Sequence, residues 1–533
     1  MAVPTHGACT VHRLRLRFAA LGACLGLALG IAALPAAGAA SAGSEVAWLP
    51  AGADADVERA FAQAQAEHKP LLLYWGAKWC PPCNQLKATL FNRQDFIEQS
   101  HAFVPVYVDG DLPGAQKLGA RFKVRGYPTL ILFNPQGAEI TRLPGEVDAP
   151  QVMRVLQLGM AGGRPVGAVL ADARAGKPLG ANEWRLLAFY SWDTDEARLV
   201  PEADRAALLV TLAVACPPQE AEIATRLWLK ALAESDEGRG VKADAALRAR
   251  VAAVLADAAA SRAQMDVLTS AAPEIVRALG GTASQRAALI AAYDKALQRL
   301  QADATLSRAD RMSALISRVD LARIDVPKDA RNVKLAPALV KAVREQVARD
   351  DREITDGYER QAVITAGAYA LERASLDAES DALLKANLAK SHSPYYLMSE
   401  LASNAKARGD KAGALRWYEE AYAKSEGPAT RLQWGASYLS ALVELAPQDT
   451  QRIERTASQL FAEAGAQQGA FYERSARSLQ RAGRKLASWN AGDAHADVMR
   501  RLQAQLAPVC AKQPAEDGQR ATCDALLRPG PAA

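Results

Sequence analysis

Between residues 45 and 160 the spacing of apolar positions changes back and forth between the helical and the strand period. Residues 56–67 place apolar side chains at helical spacing. Residues 70–75 (PLLLYW) form a continuous apolar run, which is typical of a strand buried on both faces. The same reading predicts helices at 84–90, 115–122 and 148–158, and strands at 103–108, 130–133 and 140–143.

Turn and cap signals agree with this order of elements. Residues 134–137 (Asn-Pro-Gln-Gly) separate the last two strands and predict a hairpin. Asp148 is expected to cap the last helix, with Pro150 near its first turn. Since strands and helices alternate, this part of the chain is expected to be an α/β domain.

The pattern changes at about residue 162, after a Gly- and Pro-containing stretch at 161–165 that predicts a linker. From there to about residue 507 helical periodicity follows helical periodicity, and no strand pattern stands out. One apolar stripe, with Ser284 available as its N-cap, consists of Leu289, Tyr293, Leu297 and Leu300. We therefore expect a large all-α region after the α/β domain.

Composition and charge agree with a folded chain of two or three domains. The 533 residues are 50% apolar and 23% charged, and the formal net charge is +5. Basic and acidic residues are interspersed without a long basic run, so we expect no nucleic-acid binding.

The first 42 residues have the features of a secretory signal peptide. Three arginines at 13–17 precede an apolar run at 18–34, and two A-x-A cleavage patterns lie at 37–42. A membrane anchor is the alternative, but the run is short and rich in Gly and Ala. A lipobox-like sequence at 21–24 is a further alternative, but hydrophobic residues continue after its cysteine.

Export would place the mature protein in the periplasm or another oxidising compartment, where cysteines can be paired. We expect no stable membrane insertion once the signal is cleaved. The cysteines that follow residue 42 are Cys80, Cys83, Cys216, Cys510 and Cys523.

The motif Trp79-Cys80-Pro81-Pro82-Cys83 lies between the strand at 70–75 and the helix at 84–90. Two cysteines in a CxxC pattern close a disulfide, bind a metal or perform redox chemistry. A zinc site requires two further Cys or His ligands, and His68 and His101 are not in a ligand pattern. Redox activity is the favoured interpretation, with a structural disulfide as the alternative.

Residues 45–160 resemble the thioredoxin superfamily, and particularly its exported members. The matching motifs are PLLLYWGAKWCPPC, the FVPVYVD strand, GYPT and a later Gly145. The resemblance implies a central mixed sheet flanked by helices and thiol-disulfide exchange with protein thiols and disulfides. It also implies that no cofactor is needed besides the redox disulfide.

In this reading Cys80 is the nucleophile and Cys83 is the resolving thiol. The strand-to-helix junction places Cys80 at a helix N-terminus, where unsatisfied N–H groups and the positive dipole end stabilise a thiolate. Cys83 lies one turn along, within disulfide reach. Cys80 would attack the substrate disulfide, and Cys83 would then release the product.

The resemblance assigns substrate contacts to Trp79 and to Tyr127 and Pro128, the position at which the family has a cis-proline that faces the cysteines. Pro81 and Pro82 are expected to tune the reduction potential, because they remove two backbone N–H groups beside Cys80. The family more often has Gly-Pro between its cysteines, so Pro82 matches its pattern, whereas Pro81 departs from it and is expected to alter the potential.

One departure concerns the proton acceptor for the resolving thiol. The family often has a buried acid six residues before the first cysteine, and this chain has Tyr74 there. A tyrosine, with a reference pKa of about 10, is a poor base at neutral pH. Lys78 is near enough in sequence to favour the Cys80 thiolate, but a solvated side chain is the simpler reading.

The remaining cysteines suggest structural roles. Cys510 and Cys523 lie close together near the C-terminus, where a stapling disulfide is favoured over a second redox pair. Cys216 has no obvious partner, and a buried inert thiol is favoured over a reactive one.

Residues 394–428 resemble one degenerate tetratricopeptide repeat, a helix pair of about 34 residues. Gly409 lies at its turn. An aromatic cluster in its second helix, Trp417, Tyr418 and Tyr422, fits either helix–helix packing or a peptide-binding groove, and packing is the simpler reading.

The sequence therefore predicts four segments: a signal peptide at 1–42, a thioredoxin-like domain at 43–162, an α-helical, tetratricopeptide-like domain at 163–507 and a tail at 508–533. The first functional hypothesis is an exported thiol-disulfide oxidoreductase whose helical domain recognises partners, with a membrane or soluble thiol as electron partner. The rival is an interaction or chaperone-like protein that does not turn over. No metal is expected in either case.

Overall fold

A five-stranded sheet forms the centre of the first part of the chain. The computed structural model describes residues 45–144, 148–192, 199–327 and 330–528. The predicted signal peptide at 1–42 and Gly145 of the predicted motif lie outside these residues. The strands, in chain order, are β1 (Leu49–Ala51), β2 (Leu71–Gly76), β3 (Val104–Asp109), β4 (Thr129–Phe133) and β5 (Glu139–Pro144).

The sheet is mixed, as predicted. Its strand order is β1-β3-β2-β4-β5. β3 pairs in parallel with β1 and β2, whereas β4 pairs antiparallel with β2 and β5. The β4–β5 hairpin closes through the Asn-Pro-Gln-Gly turn, with Gly137 at a φ of 83°, in the left-handed region that favours glycine.

Helices cover both faces of this sheet. Along β2, Leu71, Leu73 and Trp75 belong to one apolar core, and Leu72 and Tyr74 belong to the other. The strand is therefore buried on both faces, as its continuous apolar run predicted. The helices of this part are α1 (Asp54–Glu67), α2 (Pro81–Leu86), α3 (Gln94–Ser100), α4 (Ala115–Phe122) and α5 (Ala149–Met160).

The chain after α5 is helical in every described segment, which confirms the predicted all-α region. A first group of helices packs on the face of the sheet that carries Leu72 and Tyr74 and shares one core with it. This group consists of α6 (Val166–Arg174), α7 (Ala181–Phe189), α8 (Arg205–Ala215), α9 (Ala221–Glu234), α10 (Ala245–Ala256), α11 (Ala258–Ala263), α12 (Met265–Ser270), α13 (Ala272–Leu279), α14 (Ala283–Ala302) and α15 (Arg308–Ala322).

A second group of helices forms the rest of the described chain. It consists of α16 (Pro337–Glu353), α17 (Gly357–Arg373), α18 (Asp377–Asn387), α19 (Pro394–Ala407), α20 (Lys411–Lys424), α21 (Pro428–Leu445), α22 (Thr450–Gly465), α23 (Glu473–Trp489), α24 (Ala496–Ala511) and α25 (Gly518–Ala525). α19 and α20 are the helix pair expected at 394–428, with Gly409 at a φ of 80° between them. α24 continues through the predicted boundary at residues 507 and 508.

One of the two predicted helix caps is confirmed in position, and the other is wrong. Asp148 is the N-cap residue of α5, as predicted, but its carboxylate makes no capping hydrogen bond and instead accepts a hydrogen bond of 3.1 Å from Arg262 Nη1. In α14 the cap is Thr282, whose hydroxyl accepts from the backbone N–H of Gln285, so Ser284 lies inside the helix. At α5 the Arg262 guanidinium engages the carboxylate that would have capped the helix, and at α14 a hydroxyl two residues earlier reaches the backbone N–H first.

None of the helices in the described segments has both the length and the apolar character required to cross a membrane.

Candidate redox site

The Trp-Cys-Pro-Pro-Cys motif forms the junction between β2 and α2. β2 ends at Gly76, and α2 begins at Pro81 with Cys80 as its N-cap residue. Cys80 Sγ accepts a hydrogen bond of 3.2 Å from the backbone N–H of Cys83. Since Pro81 and Pro82 have no N–H, Cys83 supplies the first backbone donor of the helix to this sulfur.

Cys80 and Cys83 are joined in a disulfide, with their Cα atoms 5.2 Å apart. Asn84, the next residue of α2, is fully buried and fixes the loop that precedes the helix. Its side-chain amide donates to the carbonyl oxygens of Lys78 at 2.9 Å and Cys80 at 2.8 Å. Backbone and side-chain contacts therefore hold the chain on both sides of Cys80.

The structure brings the predicted substrate-contact residues together. The peptide bond between Tyr127 and Pro128 is cis. The Tyr127 ring lies edge-on to Trp79, with centroids 6.3 Å apart, and stacks on Trp75 at 6.4 Å. Tyr127 is half-buried and Pro128 is buried.

Helices of the all-α region cover this site. The Trp79 ring is stacked on Tyr396 of α19, with centroids 5.9 Å apart and an interplanar angle of 17°. Trp434 of α21 meets it edge-on at 5.2 Å. The Arg474 guanidinium of α23 lies 5.1 Å from the Trp79 ring centroid and 5.3 Å from that of Tyr127. We call Tyr396, Trp434 and Arg474 the cover.

Asp111 is the polar centre of the contact between the site and the cover. Its carboxylate accepts from Trp79 Nε1 at 3.2 Å and forms a short ion pair with Arg474 Nη2. The hydroxyl of Thr430, on α21, donates to the same carboxylate. Arg474 Nη1 also donates to Gln433 Oε1 at 3.0 Å. One carboxylate of the α/β domain thus holds two helices of the all-α region.

Gln116 of α4 adds a second polar connection. Its side-chain carbonyl accepts from the backbone N–H of Arg474 at 2.9 Å. Its amide donates to Gly110 O at 2.7 Å and to Tyr127 Oη at 3.1 Å. The tyrosine of the cis peptide and the arginine of the cover are therefore fixed by the same side chain.

Contacts at the rim of the site are more exposed. Lys78 Nζ lies 3.3 Å from Glu426 Oε2, with the side chains 51% and 70% exposed. His392 Nε2 is 3.0 Å from the Lys78 carbonyl oxygen. Lys78 is thus a solvated, ion-paired side chain, the simpler of its two sequence interpretations.

As a result, the redox pair is almost inaccessible to solvent. Cys80 is 2% exposed and Cys83 is 0% exposed. Both belong to the same apolar cluster as the core of α19 to α24.

On the Pro81–Pro82 side, α2 also borders a cavity of about 410 Å³, formed with α12, α13, α15 and α17. Gln85 at its edge donates to Asp310 Oδ1 at 2.7 Å.

The proton acceptor expected near Cys83 is not supplied by Tyr74. The Tyr74 hydroxyl is buried without a hydrogen-bond partner in the described part of the chain, and burial raises its pKa above the ordinary value. Asp109, at the end of β3, pairs in register with Gly76 at the start of the redox loop. Burial raises the pKa of the Asp109 carboxyl, which suits it to carry a proton.

Lys87 lies in the π-helical turn Lys87–Phe91 that follows α2, and its ammonium group is near Asp109 and Tyr107. Burial lowers the pKa of Lys87, and Asp109 opposes this effect. Its Nζ is 5.8 Å from the Tyr107 ring centroid. A half-buried carboxyl and a half-buried amine therefore lie beside the redox helix.

Sequence reasoning missed the residues that surround the motif from elsewhere. Asp109 was recoverable, because the carboxyl ends of the parallel strands β2 and β3 meet at one sheet edge. Asp111 follows two residues later. The three cover residues carried no sequence signal, since each is an ordinary aromatic or basic position in a helical pattern.

The other predicted cysteine roles can be placed as well. Cys510 and Cys523 form a disulfide that joins α24 to α25. Cys216 is free and buried, and burial raises the pKa of its thiol to about 11. Trp417 and Tyr418 pack against the helical core, and Tyr422 is inside it. Within the described residues no group of His, Cys, Asp and Glu has the arrangement of a metal site.

Comparison with known proteins agrees with this geometry. Residues 57–159 match the family model described as a thioredoxin-like domain. A segment of 113 residues is 33% identical to the thiol:disulfide interchange protein DsbD 2 of Pseudomonas aeruginosa, covering 20% of this chain and 19% of that protein. A segment of 98 residues is 34% identical to the thiol:disulfide interchange protein DsbD of Yersinia pestis, covering 18% of this chain and 16% of that protein.

A third relative is the DsbD protein of Pseudomonas fluorescens, 31% identical over 99 residues, 18% of this chain and 17% of that protein. The chain thus spans less than a fifth of the length of these curated relatives. The similarity concerns the part of the chain that contains the sheet and the redox pair. Residues 57–159 are a thioredoxin-like domain that carries Cys80 and Cys83.

Proposed function

We propose that this protein is an exported thiol-disulfide oxidoreductase in which Cys80 is the nucleophile and Cys83 is the resolving thiol. The observation that carries the proposal is the Cys80–Cys83 disulfide at the start of α2 in a thioredoxin-like domain. The relatives' printed names, thiol:disulfide interchange proteins, support the same class of reaction.

The exchange proceeds in two balanced steps. The Cys80 thiolate attacks one sulfur of a substrate disulfide, and a Cys80–substrate mixed disulfide forms while the other substrate sulfur leaves as a thiolate. The Cys83 thiolate then attacks Cys80 Sγ, which forms the Cys80–Cys83 disulfide and releases the second substrate thiolate. Two electrons pass to the substrate, and the reverse sequence oxidises a substrate dithiol.

Residues around the pair have separate tasks. The Cys83 N–H stabilises the Cys80 thiolate, whereas Pro81 and Pro82 supply no further N–H and so tune the potential. Trp79 and the Tyr127–Pro128 loop contact the substrate. Asp109 accepts the proton of Cys83 when the mixed disulfide is resolved, the role that Tyr74 is unsuited to perform.

The partners follow from this chemistry. The substrates are protein thiols and disulfides, and a membrane or soluble dithiol resets the pair by donating two electrons. The redox disulfide is the sole cofactor in this proposal, and nucleic acid is not a partner. The helical region, with its tetratricopeptide-like pair α19 and α20, recognises protein partners.

The signal at 1–42 directs the protein to the periplasm or another exported location. The Cys510–Cys523 disulfide is structural.

A mixed-disulfide trap tests the assignment of the two cysteines. Reduced Cys83→Ser protein, incubated with a small aromatic disulfide such as dithionitrobenzoate, should accumulate one adduct at Cys80. Cys80→Ser protein should not form this adduct, and Cys216→Ser should behave like the parent protein. Equal adduct formation at Cys80 and at Cys216 would contradict a specialised nucleophile.

The rival proposal is an interaction or chaperone-like protein without turnover. The helical cover beside Cys80 supports it, because a covered cysteine pair would not exchange disulfides with protein substrates. Reduction of insulin with dithiothreitol as donor distinguishes the two. A catalyst accelerates insulin reduction, and Cys80→Ser abolishes the acceleration. If the parent and the mutant protein are equally active, the enzymatic proposal is wrong.

A further inference from the structure

The surface on which a substrate of the proposed reaction would lie is already occupied by this chain. Tyr396, Trp434 and Arg474 lie on Trp79, and Arg474 also lies on Tyr127. We propose that the cover is a gate that selects substrates: the structure is its closed form, and a protein disulfide reaches Cys80 only when the cover moves off the redox site. The statement that the gate selects substrates rests on the proposed function.

Because Cys80 is buried, the cover must move before a protein disulfide can react with it. A substrate sulfur must come into contact with Cys80 Sγ for exchange to occur, yet Cys80 is 2% exposed and Trp79 beside it is 9% exposed. A disulfide on a folded protein brings its own surrounding surface to the site. That surface and the three cover side chains cannot occupy the same space, so the two states exclude each other.

The polar part of the contact suits a gate better than a permanent core. Across it the Asp111 carboxylate accepts from Arg474 and Thr430, and within the helical region Arg474 also donates to Gln433. When the contact opens, water solvates these polar groups, while the separation of Trp79 from Tyr396 and Trp434 exposes apolar surface and so keeps the closed form favoured. Interfaces of this polar kind between parts of one chain permit relative motion.

The loop between α20 and α21 adjusts the fit of the cover. Gly427 has a φ of 86°, and a Cβ at this position would lie 2.8 Å from Asp111 Cβ. No side chain therefore fits between this loop and Asp111. The adjoining Glu426 forms the exposed ion pair with Lys78. This loop is where a small change in sequence should open the gate.

Alkylation of reduced Cys80 by iodoacetamide tests the gate without any catalysis. Gly427→Ala should raise the rate at Cys80 by about tenfold or more, because the closed form is disfavoured. Gly409→Ala is the matched control: Gly409 has a φ of 80°, but no atom lies within 4 Å of an added Cβ. The gate is refuted if the two variants and the parent protein react at the same rate.

A covalent lock provides the opposite perturbation and does not depend on the folding of a variant. A carbodiimide joins Lys78 Nζ to the Glu426 carboxylate in an amide, with loss of water. Molecules that mass spectrometry identifies as crosslinked there should alkylate at Cys80 about tenfold more slowly after reduction. Glu426→Gln protein, treated identically, should keep its rate. Unchanged alkylation in the locked molecules would overturn the proposal.

Activity measurements separate the gate from the proposed function. If Gly427→Ala accelerates insulin reduction more than reaction with dithionitrobenzoate, both proposals are supported. If no variant exchanges disulfides but alkylation still follows the gate variants, the proposed function fails and the gate remains. A parent protein that reacts equally fast with both substrates, with no change in Gly427→Ala, contradicts the gate.

A second observation concerns the opposite ends of the same three helices. The N-terminal parts of α19, α21 and α23 carry the cover. Their C-terminal parts line an open cavity of about 520 Å³, which we call the groove. Four basic side chains and one carboxylate, that of Glu444, contribute to its lining. The basic residues are Lys406, Arg481, Arg484 and Lys485.

The positive charge of this groove is only partly compensated. Glu444 is shared by Lys406 at 2.8 Å and Lys485 at 3.7 Å. Burial, Arg477 and Arg484 lower the pKa of Arg481, and no carboxylate of the described residues forms an ion pair with Arg481 or Arg484. An anionic ligand would relieve this repulsion.

The shape of the groove indicates what kind of anion fits. It extends along two turns of α21 and of α23, from Ser437 to Glu444 and from Arg481 to Ser488, a length of about 10 Å. An extended peptide of about three residues has this length. We propose that the groove binds an acidic peptide segment of a protein partner, with carboxylates facing Arg481 and Arg484.

Binding of a fluorescent hexaglutamate peptide tests this site. The parent protein should bind it at low salt and more weakly at high salt, because the contacts are ionic. The double variant Arg481→Glu/Arg484→Glu should lose affinity by about tenfold or more. Arg455→Glu, exposed on α22 and outside the groove, is the control. Equal affinity in both variants, or binding of inorganic phosphate but not of the peptide, overturns the proposal.

Discussion

Arg474 of α23 forms an ion pair with Asp111, 363 positions earlier in the chain, and each side chain is about nine-tenths buried. This pair joins the thioredoxin-like domain to the helical region at the redox site. Removing one partner leaves the other charge buried and unpaired.

We therefore expect Arg474→Ala or Asp111→Ala to lower the free energy of unfolding by about 3–5 kcal/mol. Urea unfolding at neutral pH measures this change. Arg125→Ala is the control, because Arg125 and Glu202 form a pair whose side chains are 54% and 70% exposed, and such pairs contribute about 0–1 kcal/mol. Similar losses for the buried and the exposed pair would contradict the prediction.

The Cys80 thiol should ionise below the value of about 8.5 that is ordinary for cysteine. The Cys83 N–H at 3.2 Å and the N-terminal end of α2 favour the thiolate, and we expect them to outweigh the burial of Cys80, which opposes its ionisation. Ultraviolet absorbance of the thiolate, followed against pH in reduced protein, measures this pKa. Cys216 should not interfere, since burial raises its pKa to about 11. A Cys80 pKa at or above that of free cysteine removes the role of the helix end.

Asp109 should affect the second step of exchange more than the first. In Asp109→Asn protein we expect the Cys80 mixed disulfide to form at nearly the parent rate and to resolve about ten to a hundred times more slowly. Since burial raises the Asp109 pKa, the parent resolution rate should fall as pH drops through that raised value and the carboxyl becomes protonated. Stopped-flow mixing with a fluorescent disulfide peptide resolves the two steps. A parent pH profile that persists in Asp109→Asn would exclude this residue.

The Cys510–Cys523 disulfide should contribute to stability and not to exchange. It closes a short loop between α24 and α25, and on the loop-entropy model its removal costs about 3 kcal/mol. We expect Cys510→Ser/Cys523→Ser to unfold at lower urea concentration with unchanged reactivity of Cys80. A loss of Cys80 reactivity at full folding would instead indicate a second redox pair.

The Arg226–Asp266 pair should make stability depend on acid pH. Arg226 Nη1 lies 2.9 Å from Asp266 Oδ1, and although burial alone would raise the Asp266 pKa, Arg226 lowers it. A carboxyl with a lowered folded-state pKa stabilises the fold above its unfolded pKa of about 3.9, and that stability is lost as pH falls further.

Asp266→Asn should therefore be less stable than the parent at neutral pH, and its stability should decline less between about pH 5 and about pH 3. Urea unfolding at each pH measures the slope. Parallel pH profiles for the parent and Asp266→Asn would show that another carboxyl is responsible for the acid sensitivity.

The hydrophobic pattern was sufficient for the local structure of the thioredoxin-like domain. The apolar run before the motif predicted β2, buried on both faces, and the predicted helix at 115–122 matches α4. Burial and periodicity are properties of a few neighbouring residues, so they are readable from sequence. The helix α3 was missed, because seven residues provide too little periodicity.

The sequence by itself determined the chemistry of the motif: two cysteines in a CxxC pattern, two prolines without N–H groups between them, and Tyr74 in place of an acid. Only the tertiary structure decided how accessible that chemistry is. Arg474 and Trp434 lie more than 300 positions from Asp111 and Trp79, and their contacts follow from how the helical region folds back over the domain. Such long-range packing leaves no pattern in the sequence near the motif. Each cover residue fits the periodicity of its own helix whether or not that helix lies on the redox site.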